Sequence, residues 1–195
     1  MWNEEDILTF LKQKLPQRRF NHVMGVRDTA VKLAERYGAS KKAAATAALL
    51  HDCAKNMKNE ELLQIVRKGG YEPDFVQVNA PQLLHSVVAI IIAKEKMSII
   101  DEDILNAVRY HTTGRENMSL LEKIIYIADY IEPSRNFPEV EYFREKAFLN
   151  LDETLLEALE NSIKYVVGKK DLLHPDTVLA RNFMLIHIKK DKSEI

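Results

Sequence analysis

One cysteine, Cys53, is all the chain contains, so an internal disulfide is excluded. A lone thiol fits a reducing compartment, and a cytoplasmic location is the expectation. Glycine and proline are scarce, six of each in 195 residues, and no low-complexity linker or internal repeat interrupts the pattern. No apolar run is long enough to span a bilayer. The opening Met1-Trp2-Asn3-Glu4-Glu5-Asp6 is acidic where a secretory signal would be basic. The net charge is only −1 with histidine neutral, so no global field draws the protein to nucleic acid or to an anionic membrane. Lys189, Lys190 and Lys192 read as a solvated end. What is present, 46% hydrophobic and 29% charged residues, is the profile of a soluble globular chain with one sizeable core. We therefore expect a single domain over residues 1–195.

The apolar spacing is helical throughout, and the fold class it predicts is all-α. Asn3 opens a first helix that Pro16 ends. A second runs from about Gln17 to Tyr37, with Val23, Val26, Ala30 and Leu33 inward and Gly38 closing it. Ser40 caps an alanine-rich third helix that delivers His51 and Asp52 at its end. Asn59 is expected to cap Glu60 to Lys68, and residues 71–80 read as loop. Pro81 opens a helix carrying His85, and Asp101 caps one ending at His111. Ser119 and Glu122 form a capping box for a helix bearing Asp129. Glu139 to Asn150, Glu153 to Val167 (capped by Asp152) and Asp176 to about Lys189 complete the chain.

Two acidic residues stand where acids are costly. Asp129 interrupts Ile124-Ile125-Tyr126-Ile127-Ala128, and Asp52 follows Ala47-Ala48-Leu49-Leu50. A buried carboxylate needs a cation or hydrogen-bond donors. Together with His22 and His51 they make a mixed nitrogen and oxygen set, suited to iron, manganese or magnesium rather than to a thiolate zinc site. Positions left open on such an ion mark a catalytic metal. Cys53 reads as a small core residue. His85 and His111, each followed by a hydroxyl residue, could bind phosphate oxygens, shuttle a proton or ligate a second ion. His174 and His187 have weaker claims. Lys55, Arg135 and Arg181 are cations placed where a polyphosphate would need them, and the first turn of the last helix, at Asp176 and Thr177, can receive an anion.

The order His22, His51-Asp52, Asp129 resembles the HD-domain superfamily of metal-dependent phosphohydrolases. Arg19-Phe20-Asn21-His22, His51-Asp52-Cys53-Ala54-Lys55, Leu84-His85-Ser86, Tyr110-His111-Thr112-Thr113-Gly114, the block from Met118 to Arg135 and His174-Pro175-Asp176-Thr177 together resemble its YqeK-type family. The likeness runs from about residue 18 to 187. It implies an HD-domain helical bundle, core about 18–135, with a C-terminal helical extension at about 139–190. It implies a bacterial enzyme that splits diadenosine tetraphosphate symmetrically into two ADP, with iron, mono- or dinuclear, on His22, His51, Asp52 and Asp129. Manganese or another divalent ion is the alternative metal.

The resemblance also implies catalytic roles for Lys55, His85 and His111. It places the nucleotide, a dinucleoside tetraphosphate or a nucleoside diphosphate, against His22, Lys55, His85, His111, Thr112, Asp129 and Arg135. His174, Thr177 and Arg181 would lie near the nucleoside. Two other readings stay open: hydrolysis of a different nucleotide, and a non-catalytic nucleotide-binding module. A homodimer is the simplest assembly for a small helical enzyme.

Overall fold

The computed structural model describes residues 2–193; Met1 and the side chains beyond Lys190, Lys192 among them, lie outside the described residues. Eleven α-helices and no strand are found among those residues. They are α1 (Glu4–Lys14), α2 (Gln17–Tyr37), α3 (Lys41–Leu50), α4 (Asn59–Lys68), α5 (Phe75–Asn79), α6 (His85–Met97), α7 (Glu102–Tyr110), α8 (Leu120–Ile131), α9 (Val140–Leu149), α10 (Leu151–Gly168) and α11 (Pro175–Ser193). A 3₁₀ turn, Pro81–Leu84, leads into α6.

The caps largely follow local chemistry. Asn3 with Asp6, and Ser119 with Glu122, form reciprocal capping boxes. Three details differ from the sequence reading. Lys58, not Asn59, precedes α4. Asn150, not Asp152, caps α10 through the Glu153 amide. The stretch read as loop contains α5, because Asp74 and Gln77 build a capping box there; five residues are too few for periodicity to reveal.

The centre is built from α2, α3, α7 and α8, each packed on at least two of the others. Ala44, Ala47 and Ala48 are fully buried and small enough to let α3 approach α2 closely. Ile124, Ile125, Ile127 and Ala128 fill the middle from α8. The C-terminal extension, α9 to α11, leans on α8 through α10. Gly114 lies beneath α11 at φ +66°, and an added Cβ would come within 3.1 Å of the Ala180 methyl group. No helix among the described residues is long and apolar enough to cross a membrane.

Candidate functional site

Three histidines reach one point by the same local device. His51 ends α3, His111 ends α7 and His85 ends the 3₁₀ turn. Each ring donates Nδ1–H to the carbonyl three residues back: Ala48 at 2.6 Å, Val108 at 2.8 Å and Gln82 at 2.6 Å. Carbonyls in a helix's last turn run short of backbone partners, and the rings supply them. In each neutral ring this leaves a bare Nε2 lone pair. His22, on α2, is fixed differently: its Nδ1 faces the buried Glu132 carboxylate at 2.9 Å.

All four Nε2 atoms converge on Asp52 and Asp129. His22 Nε2 lies 3.1 Å from Asp129 Oδ1 and 3.6 Å from Asp52 Oδ2. His51 Nε2 lies 3.5 Å from Asp52 Oδ2, and His85 and His111 Nε2 lie 3.3 and 3.6 Å from Oδ1. His85 and His111 face each other Nε2 to Nε2 at 3.1 Å. Part of this set has no donor. His22 Nε2, His51 Nε2 and Asp52 Oδ1 are buried without a hydrogen-bond partner. Among the described residues, the donor atoms of His22, His51 and Asp129, and those of His51, Asp52 and His111, lie within 4.8 Å of one another. Orphaned buried acceptors of this kind call for a cation, and imidazole with carboxylate is a sound donor set for a divalent one.

Three basic side chains ring the cluster. Arg19 Nη1 lies 2.7 Å from Asp52 Oδ2, Arg135 pairs with the Asp129 carboxylate, and Lys55 Nζ donates to His85 Nε2 at 3.3 Å. The fields follow. Burial alone would raise both carboxyls, but the neighbouring imidazoles, with Arg135 at Asp129, hold them well below the usual carboxylate range. Burial and the Lys55 charge push His85 down to about 4, and burial also lowers His111 and Lys55. His51 moves upward: burial, the largest single influence, lowers it, but the charge and hydrogen bond of Asp52, the Asp129 charge and the Ala48 carbonyl together outweigh burial. Cys53, buried behind the cluster, is pushed up to about 12, so it is no thiolate at neutral pH.

His51 gives a first prediction. Its raised pKa extends proton occupancy to higher pH, and a metal ion must displace that proton to reach Nε2. Metal binding to the apoprotein is expected to release protons, and affinity to fall as pH drops through the raised value. Titration calorimetry in two buffers of different ionisation enthalpy reads this directly. Equal heats in both buffers near neutral pH contradict it.

The structure thus brings His22, His51, Asp52 and Asp129 together, with Lys55, His85, His111, Thr112 and Arg135 around them; Thr112 Oγ1 is 3.1 Å from His111 Nε2. It does not bring His174, Thr177 or Arg181 there. His174 Nε2 donates to Asp74 at 2.8 Å, Arg181 pairs with Glu160 at 2.6 Å, and Thr177 is buried under the first turn of α11. Neither cavity beside the cluster is lined by any of the three.

Arg19 and Glu132 are functional neighbours that the sequence reading passed over. Arg19 sits three residues before His22 on the same helical face, and Glu132 three after Asp129, so i,i+3 spacing was the available signal. A further hydrogen-bond chain backs the His85 and His111 wall. Arg109 donates to Ser86 at 3.4 Å and to Tyr71 at 2.5 Å; Tyr71 donates to Gln77 at 2.9 Å, which joins Asp74 and His174.

The HD domain family model matches residues 19–134 of the chain. The chain is 41% identical over 94% of its length to a protein of Bacillus subtilis (strain 168) named bis(5′-nucleosyl)-tetraphosphatase, symmetrical, covering 98% of that protein. It is 40% identical over 96% of its length to the protein of the same name from Halalkalibacterium halodurans, covering all of it. A crystal structure from Clostridium acetobutylicum, described as a predicted HD superfamily hydrolase involved in NAD metabolism, superposes with a TM-score of 0.93 at 44% identity. That superposition covers 96% of this chain and 99% of the other. With a histidine–aspartate cluster of this geometry, a matching family model and relatives alike over nearly their whole length, the chain belongs to the HD-domain family, in the branch of the symmetrical bis(5′-nucleosyl)-tetraphosphatases.

Proposed function

We propose that the protein is a metal-dependent hydrolase that cleaves diadenosine tetraphosphate symmetrically into two ADP. The observation that carries this reading is the convergence of four imidazole Nε2 atoms on two carboxylates, with His22 Nε2, His51 Nε2 and Asp52 Oδ1 buried and without a hydrogen-bond partner. His22, His51, Asp52 and Asp129 would hold the ion. Iron is the metal we assign, with manganese as the substitute its nitrogen and oxygen ligands equally admit. A bound divalent ion supplies Lewis-acid polarisation of a phosphoryl oxygen and a more acidic water.

The chain's own residues do the rest. Arg135 and Lys55 face the phosphate chain and balance its charge. Thr112 donates a hydrogen bond to a phosphate oxygen. His85 and His111, neutral at pH 7, take up a cation between their facing nitrogens, either a proton leaving the attacking water or a second ion. We assign His174, Thr177 and Arg181 to holding α11 in place rather than to the nucleotide, since His174 and Arg181 are engaged by Asp74 and Glu160, Thr177 is buried, and none of the three lines either cavity. A single domain, a cytoplasmic location and a homodimer complete the proposal.

Stripping divalent metal with a chelator is expected to remove all detectable turnover, and adding back ferrous or manganous ion to restore it. Incubation with several dinucleoside polyphosphates and chromatography of the products then tests the substrate. Two identical diphosphates from the tetraphosphate support the proposal. A monophosphate with a triphosphate would assign a different reaction to the same residues, and ligand binding without turnover would make the protein a binding module.

A further inference from the structure

Two cavities flank the cluster, and they differ in kind. One, about 620 Å³, leads from Lys55, Thr112 and Arg135 to Tyr130, Asn161 and Tyr165. Tyr165 is 65% exposed, so its ring is open to a ligand. The other, about 690 Å³, opens from His22 towards Arg18, Arg19, Asn56, Ser134 and Asn136. Arg135 and Phe137 line both, so the two lie side by side next to the histidine–aspartate cluster.

A nucleobase is held by aromatic faces and by a donor–acceptor pair on its edge, whereas a phosphate chain is held by cations. The tyrosine-lined cavity offers the exposed ring of Tyr165 and the amide of Asn161, which also hydrogen-bonds Tyr130; the Tyr130 ring is packed on Phe137 at 4.9 Å and on Phe143 at 5.2 Å. The arginine-lined cavity offers guanidinium groups and amides, but a single aromatic ring. That ring, Phe137, already packs on Tyr130 at 4.9 Å and on Phe143 at 6.2 Å. The two halves of a symmetric substrate therefore meet unlike surroundings.

Building on the proposed hydrolase activity, we propose that the protein grips only one of the two nucleosides, and that nucleoside 5′-tetraphosphates, which lack the second, are also substrates. Adenosine 5′-tetraphosphate would lie with its base in the tyrosine cavity and its terminal phosphates against Arg18 and Arg19. Water would then form a bond to one of the two central phosphorus atoms. The bond from that atom to the bridging oxygen breaks, the electron pair stays on that oxygen, and a proton is released. The products are ADP and pyrophosphate. The terminal phosphate carries more negative charge than the esterified one it replaces, which suits a cavity whose wall sets Arg18, Arg19 and Arg135 against the single carboxylate of Glu132.

The test compares kcat/KM for adenosine 5′-tetraphosphate and diadenosine tetraphosphate in one metal-loaded preparation, with products separated by ion exchange. Values within about tenfold of each other, with ADP and pyrophosphate formed, are expected. Loss of more than about 100-fold for the mononucleotide, or its cleavage to ATP and phosphate, overturns the inference. If diadenosine tetraphosphate itself is not cleaved, the proposed function fails; if it is cleaved and the mononucleotide refused, only the present inference fails. Tyr165→Ala is expected to raise KM for both substrates by a common factor of about fivefold or more. Arg18→Ala should raise KM more for the mononucleotide than for the dinucleotide. A Tyr165→Ala effect on one substrate alone, or equal effects of Arg18→Ala on both, would contradict the assignment of the cavities.

Discussion

Asp52→Ala is expected to lower turnover by on the order of 10³-fold or more, a barrier increase of about 4 kcal/mol, while the helical fold persists. The carboxylate is the hub of the cluster: Oδ1 faces His85 and His111, and Oδ2 faces His22, His51 and Arg19. Removing it deletes an ion ligand and also the negative charge around which the imidazoles are arranged. The fold survives because Asp52 lies in the turn after α3 and caps no helix. Its partner Arg19 is 31% exposed at the side chain and can turn to water, so no buried charge is stranded. Metal content, circular dichroism and product formation on one preparation separate these effects. Near-normal activity in a metal-free Asp52→Ala protein would sink the proposed mechanism.

Gly25→Ala is expected to weaken metal binding by about 10- to 100-fold without touching any ligand. An added Cβ would stand 2.7 Å from Glu132 Oε2 and 3.3 Å from Pro133 Cδ. Glu132 has little freedom to yield. It is buried, accepts the Ser134 amide at 2.7 Å and the Ser134 hydroxyl, and orients His22 through Nδ1. Displacing it unlocks the ring that presents Nε2 to the ion. Overpacking of this kind also costs about 1–3 kcal/mol, or roughly 2–4 °C in Tm for each kcal/mol in a chain of this size. The metal dissociation constant and Tm measure both consequences. Glu132→Gln should cost less, since an amide oxygen still accepts from His22 and the Ser134 hydroxyl, while the contact with the Ser134 amide and the charge facing Arg135 at 3.8 Å are lost. An unchanged dissociation constant in Gly25→Ala would show that Glu132 does not set the ring.

The sequence carried the fold through helix punctuation. Asn3, Ser40, Asp101 and Ser119 each cap the helix that their chemistry announces, and Gly38 ends α2 in a left-handed turn at φ +73°. The convergence of the cluster was legible because a carboxylate such as Asp129 is too costly amid isoleucines without compensation. What stayed hidden depended on tertiary placement. Arg181 and Arg135 look alike as basic residues near a helix terminus, yet one pairs with Glu160 and the other with Asp129. The cavity-lining residues Asn161 and Tyr165 lie on α10, far along the chain, with no local pattern to distinguish them from an ordinary amphipathic helix. Glu132 was obscured by its neighbour Pro133, which reads simply as a helix stop.

The carbonyl anchors of His51, His85 and His111 have a bearing on metal choice. Each of these rings is aimed by its own turn of backbone, so His51 among the proposed ligands, with His85 and His111 beside it, is oriented before any ion arrives, whereas His22 depends on Glu132. Ligand type, here imidazole with carboxylate, together with metal availability would then decide which divalent ion such a site takes.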